Sequence, residues 1–138
     1  MSYITGLVAF VTDLEEQVVD DVTPFRPITI PDTPAMYNRF RTARFDGQAI
    51  GIKKDVTTVT AVLAHDIKAT DDILELADTF IDLVDPILYA NKYDSLPQFV
   101  ALAKRQGWNE GVDSWGDTTL RTIEFPIEVE INEAIVPA

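Results

Sequence analysis

Residues 119–131 constrain the fold more than any other stretch of the chain. Ile123, Phe125, Ile127, Val129 and Ile131 alternate with Thr122, Glu124, Glu128 and Glu130. A period of two places the apolar set on one side of a strand and the acids on the other. Such a strand needs a sheet around it and a core against one face, and it leaves a wet, acidic face opposite. Pro126 lies on the acidic side and cannot donate to a ladder, which predicts an edge or a bulge there.

A second strand is predicted at residues 56–64, Val-Thr-Thr-Val-Thr-Ala-Val-Leu-Ala, where β-branched residues crowd and both faces are apolar enough for a central position. Two stretches carry helical periodicity. Residues 2–21 place Ile4, Leu7, Val8, Val11, Leu14 and Val18 on one stripe, with Ser2 as N-cap and Pro24 and Pro27 barring continuation. Residues 71–90 place Ile73, Leu76, Ala77, Phe80, Ile81, Val84 and Leu88 inward and Asp71, Glu75, Asp78, Asp82 and Asp85 outward. Thr70 suits the cap of that helix, and Pro86 ends it early or kinks it. A shorter helix is expected at 95–106, where Ser95-Leu-Pro-Gln98 has capping-box spacing and Gly107 supplies a stop.

The remaining segments read as connections. Four of the eight prolines (Pro24, Pro27, Pro31, Pro34) fall in residues 22–36, an extended link with room for a short edge strand at 27–31. Residues 37–53 read as a hairpin or long loop turning at Asp46-Gly47, and 107–118 as a Gly-, Asp- and Trp-containing loop. The sum is one α+β domain over 1–138: a small mixed or antiparallel sheet with helices packed on one face, and an extended proline-rich segment and hairpin at about 22–54.

Chemistry-bearing residues are sparse. There is no cysteine, which removes disulfides, thiolate metal sites and cysteine nucleophiles and agrees with synthesis in a reducing cytoplasm. The lone histidine, His65, stands beside Asp66, but neighbours on a strand point to opposite faces, so the pair reads as strand-end surface. The acids of the 71–85 helix lack the alternating, glycine-containing loop that calcium takes and read as a solvated face. No phosphate-binding glycine loop or hydrolase motif occurs. These absences predict a protein that is not an enzyme and takes no cofactor or metal. No apolar run is long enough to span a membrane, and the N-terminus lacks a basic secretory region.

Charge adds two features. The net charge of −12 opposes a DNA-coating role, since phosphate neutralisation supplies most non-specific affinity, but it is compatible with a wall that DNA slides past. Against that background, five of the eleven basic residues (Arg39, Arg41, Arg44, Lys53, Lys54) gather in 39–54, interleaved with Tyr37, Phe40 and Phe45. That strip reads as a nucleic-acid arm, as a hairpin docking on the acidic face of a neighbouring subunit, or as charge guarding strand edges. Trp108 and Trp115 read as interface anchors or as caps of a core.

The order of elements (amphipathic helix, proline-rich stretch, hairpin, the strand Val56–Ala64, the acidic helix around Asp72-Ile-Leu-Glu-Leu-Ala-Asp-Thr-Phe-Ile, and the closing strand Leu120-Arg-Thr-Ile-Glu-Phe-Pro-Ile-Glu-Val-Glu-Ile) resembles the tail terminator, or tail completion, proteins of long-tailed bacteriophages. The resemblance covers most of the chain as architecture and length. It implies a structural virion protein, made in the host cytoplasm, whose copies form a hexameric ring capping the tail tube. Its partners would be the tail tube protein and a neck or connector protein, with DNA passing through unbound and no membrane involved. In that setting Glu124, Glu128 and Glu130 are candidates for an acidic lumen face, and Arg39, Arg41, Arg44, Phe45, Lys53 and Lys54 for the subunit interface. Another head–tail connector or stopper, an enzyme or small-ligand domain, and a cytoplasmic adaptor outside the virion are the competing readings.

Overall fold

The computed structural model describes residues 3–41, 44–47, 52–89 and 100–134. Two long strands dominate it, β4 (Ile52–Asp66) and β7 (Thr118–Ala134), paired antiparallel in one unbroken register from Ile52 opposite Ala134 to Asp66 opposite Leu120. At 3.3–3.4 Å per residue, β4 alone spans roughly 50 Å. Each long strand carries two shorter ones end to end on its outer edge. Strands β2 (Ala35–Phe40) and β3 (Arg44–Gly47) flank β4, and β5 (Val100–Arg105) and β6 (Asn109–Trp115) flank β7. A two-residue strand, β1 (Asp21–Val22), pairs parallel with β2, so the sheet, of seven strands among the described residues, is mixed.

Among the described residues two helices, α1 (Tyr3–Glu16) and α2 (Thr70–Tyr89), cover one face and make this an α+β fold. Helical spacing selects their contacts. Leu7, Val11 and Leu14 of α1, with Ile73, Ala77, Phe80, Val84 and Leu88 of α2, pack on Val59, Ala61 and Leu63 of β4 and Ile123, Phe125, Ile127 and Val129 of β7. Phe80 and Phe125 meet at the centre, ring centroids 4.8 Å apart. Burial of side chains this size contributes about 1.5–3 kcal/mol each. No described helix is long and apolar enough to cross a membrane.

Helix α1 is shorter than its stripe predicts. It closes in a turn where Val18 and Val19 donate their amides to Glu15, and Val19 folds inward to the core. The chain then joins the sheet at β1, so the short edge strand lies at 21–22 and not at 27–31. Helix α2 occupies its predicted range to within one residue at each end, but Thr70 is its first residue and not its cap, and Pro86 does not end it: the helix continues to Tyr89. The proline deprives only the carbonyl of Asp82, and both residues lie on the exposed side of the helix.

The segment 100–118 departs furthest from its prediction. Residues 95–99 lie outside the described residues, but 100–105 form a strand and not the end of a helix. Local capping signals are outweighed there by the open edge of β7. Ala103 is buried opposite Val129, and Arg105 makes a two-point ion pair with Asp85 of α2, at 2.9 and 2.8 Å. Asp85 is therefore tied to β5 and does not belong to the solvated acidic face that helical spacing predicts for it. Gly107, with φ of +75°, turns the chain between β5 and β6 and stops no helix. The expected loop 107–118 contains β6 and a two-residue hairpin at Gly116-Asp117, where Gly116 takes φ of +59°, the position for which tight hairpins of the Gly-X kind use glycine.

Pro126 lies inside an interior strand, opposite Thr60, and the ladder shows no bulge at that point. Its place is the gap between β5 and β6. A residue in an antiparallel ladder directs its N–H and C=O to the same side. The Pro126 carbonyl accepts the Gln106 amide at 2.7 Å, so the missing donor faces the break where no strand asks for one. Asp46 and Gly47 also differ from expectation: they lie in β3, opposite Lys54 and Lys53, and not in a turn, while residues 48–51 lie outside the described residues.

Candidate functional site

The face of the sheet away from the helices carries most of the polar organisation. Alternation along β2, β6 and β7 brings Tyr37, Arg39, Asp113, Trp115, Leu120 and Glu124 to this side. Tyr37, Val62, Ala64 and Leu120 form a second, smaller buried cluster there, closed by Trp115. The rings of Tyr37 and Trp115 meet edge to face with centroids 6.1 Å apart.

Asp113 is the hub. Tyr37 Oη donates to its Oδ2 at 2.6 Å, Arg26 Nε to the same oxygen at 2.9 Å, and Arg39 Nη2 to it at 3.3 Å. Arg26 Nη2 reaches Oδ1 at 3.2 Å and the carbonyl of Ser114 at 2.7 Å. The Arg26 guanidinium also lies 4.4 Å from the centre of the Trp115 ring, and Trp115 Nε1 donates to the Pro27 carbonyl at 2.9 Å. Together these contacts clasp the proline-rich segment onto the sheet.

Electrostatics follow from this geometry. Burial opposes ionisation of Asp113, but hydrogen bonds from Arg26, Tyr37 and the Ser114 amide outweigh it and hold the carboxyl at about 2. Burial, reinforced by the bond to Asp113, pushes the Tyr37 phenol well above its ordinary range. Near neutrality one group is fixed as an anion and the other as a donor. Neither suits proton transfer, and the arrangement acts as a lock.

A second polar group lies under α1. Glu15 and Asn38 are buried, and Asn38 Nδ2 donates to Glu15 Oε1 at 2.7 Å. Glu15 Oε2 and Asn38 Oδ1 have no partner. Two buried acceptors without a donor favour the neutral acid, which supplies one. Burial pushes Glu15 up to about 8, the Asn38 bond opposing and the neighbouring Glu16 reinforcing the shift.

Glu124, Glu128 and Glu130 share the helix-free face of β7, each half-buried. They are not equivalent. Glu124 is bound by Arg39 Nη1, and Glu128 accepts from Gln106 Nε2 at 3.4 Å and stands opposite Lys104. Glu130 stands opposite Val56. The basic strip is divided as well. Arg39 is engaged by Asp113 and Glu124, whereas Arg41 is exposed, with its amide bonded to the Thr58 carbonyl. Arg44, Phe45, Lys53 and Lys54 are placed by register. In the ladder Lys54 stands opposite Asp46 and Lys53 opposite Glu133.

His65 and Asp66 do not pair through their side chains. His65 Nδ1 accepts the Asp66 amide at 2.7 Å, and Asp66 Oδ1 caps the turn at the Lys68 amide, 3.0 Å away. No group of three or more metal-ligating side chains converges among the described residues. Of the two tryptophans, Trp115 caps a core and Trp108 stands 50% exposed beside α2. Arg26, Tyr37 and Asp113 were not singled out from sequence as site residues. Arg26 and Asp113 are 87 positions apart and carry no local motif. No protein-family model matches the chain, and no curated protein shows significant similarity to it.

Proposed function

We propose that this protein is a structural subunit of a ring of its own copies that caps a bacteriophage tail tube and joins it to the neck. The order of elements supports this reading: α1, a proline-rich stretch, the β3–β4 hairpin, the acidic helix α2 and the long closing strand β7. The observation that carries it is the helix-free face of β7. Glu128 and Glu130 stand half-buried on an open sheet face of a chain with net charge −12. A surface of that kind repels phosphates and lets DNA pass.

The clasp adds a physical requirement that such a subunit meets. A ring part must hold its shape while partners are added, and the Arg26–Asp113–Tyr37 lock fixes an otherwise extended segment. Mass spectrometry of purified virions, with antibody labelling in the electron microscope, tests the assignment. Label at the junction of tail and head supports it. Absence from the particle points to an adaptor that stays in the cytoplasm, and label on the head side of the neck points to a connector or stopper.

A further inference from the structure

Seven large hydrophobic side chains are exposed among the described residues, and they fall into two groups. Phe25, Ile28 and Ile30 form a ridge on the proline-rich segment. Ile67, Leu74, Trp108 and Val112 surround the start of α2 and the outer strand β6. Leu74 and Trp108 of the second group line a groove.

The ridge is rigid. Ile28, 96% exposed, directly follows Pro27, whose carbonyl is held by Trp115, and Arg26 is locked to Asp113. Phe25 rests against Phe40 with ring centroids 5.5 Å apart, and Pro24, Pro27 and Pro31 restrict the backbone. A side chain presented this way loses little entropy on docking. The groove, about 210 Å³, runs beside α2 with Leu74, Ala77, Ile81, Trp108 and Ile123 as lining and Asp78 at its rim. It opens on the helix-bearing face, whereas Arg26 and Pro27 are held on the opposite face by Asp113 and Trp115, so the sheet separates Ile28 from the groove of its own chain.

Charge selects the occupant. Two copies, each at −12, repel over most of their surfaces. The groove is bordered by the acids of α2, and a docking segment must therefore bring no carboxylate. Residues 22–31 hold none, in a chain with 23 in 138, and their single charge is Arg26.

We propose that the ridge of one copy seats Ile28 in the Trp108 groove of the next. The inference rests on the reading that the chain assembles with its own copies, and it names the contact. The two patches differ, so the contact is head-to-tail. It closes into a ring when the rotation per copy divides a full turn, and it otherwise extends into a filament.

Sedimentation of the full-length chain tests this, with Ile28→Asp and Leu74→Asp as variants and circular dichroism as the control for folding. Both positions are exposed, so both variants fold. Wild type self-associates with rising concentration, and each variant alone weakens that association about 30-fold or more. An equimolar mixture then forms one-to-one pairs and nothing larger, because only one ridge and one groove remain intact between the two variants. A wild type that stays monomeric at every concentration overturns the self-contact. A mixture that stays monomeric overturns the pairing of these two patches. Variants that assemble like wild type overturn the ridge–groove contact and leave the ring reading standing.

Discussion

Tyr37 and Asp113 lie 76 positions apart, yet the phenol of one donates to the carboxylate of the other at 2.6 Å, next to two arginines on the same carboxylate. The bond ties β2 to β6 across the two long strands between them. Asp113→Ala leaves Tyr37, Arg26 and Arg39 without that acceptor. It is expected to cost about 1–3 kcal/mol in denaturant unfolding, the exposure of both arginines limiting the loss. Tyr37→Phe removes a single donor and is expected to cost about 1 kcal/mol. The double variant loses less than the sum, because the two residues share one bond.

The same carboxylate sets an acid limit. Asp113 titrates at about 2 in the fold against an ordinary 3.8, so its contribution is present above the ordinary value and is lost as pH falls through the folded one. Unfolding midpoints of wild type are expected to drop between about pH 4 and pH 2 more steeply than those of Asp113→Asn.

Glu15 acts in the opposite direction. Its folded value of about 8 exceeds the ordinary 4.5, so the stabilisation of the protonated acid is complete below 4.5, declines as pH rises, and is gone above 8. Glu15→Gln keeps a neutral group in the core and removes that decline. It is expected to be more stable than wild type at pH 7 by on the order of 2 kcal/mol, and the difference should close toward pH 4. Equal stability of the two proteins across this range would contradict a protonated Glu15.

Gly116 carries the hairpin from β6 to β7 with φ of +59°. No atom would meet an added Cβ there, so Gly116→Ala is penalised by the backbone alone, by about 1 kcal/mol. Gly111→Ala, by contrast, places a methyl 3.2 Å from Thr122 Oγ1 and requires that hydroxyl to give way slightly. Thermal unfolding of the two variants separates strain from crowding.

Charge changes separate the two uses of the basic strip. Arg39→Glu breaks the contacts with Asp113 and Glu124 and is expected to lower stability, whereas Arg41→Glu with Arg44→Glu leaves the clasp intact and weakens assembly. On the acidic face, Glu128→Lys with Glu130→Lys is expected to create salt-sensitive DNA binding in a filter or gel assay. Absence of binding at low salt would count against a DNA-facing position.

The periodic elements were legible because burial on one face imposes a pattern that local sequence cannot hide. Phe80 and Val84 at helical spacing, and Ile123 to Val129 at strand spacing, read directly as core. Residues 100–105 did not, because Ser95, Pro97 and Gly107 carry local helix signals, while the open edge of β7 is a property of the assembled sheet. Pro126 was tolerated for a reason equally invisible in one dimension, the gap between β5 and β6. The clasp was hidden for the same cause. Asp113 looks like any loop aspartate until the β6–β7 hairpin turns it toward Arg26 and Tyr37.

The most direct test of the central claim is negative-stain electron microscopy of the purified protein mixed with tail tubes. The account predicts rings seated at one end of each tube, with the symmetry countable in end-on views. Bare tubes among free monomers, at concentrations where the protein is in excess, would contradict it.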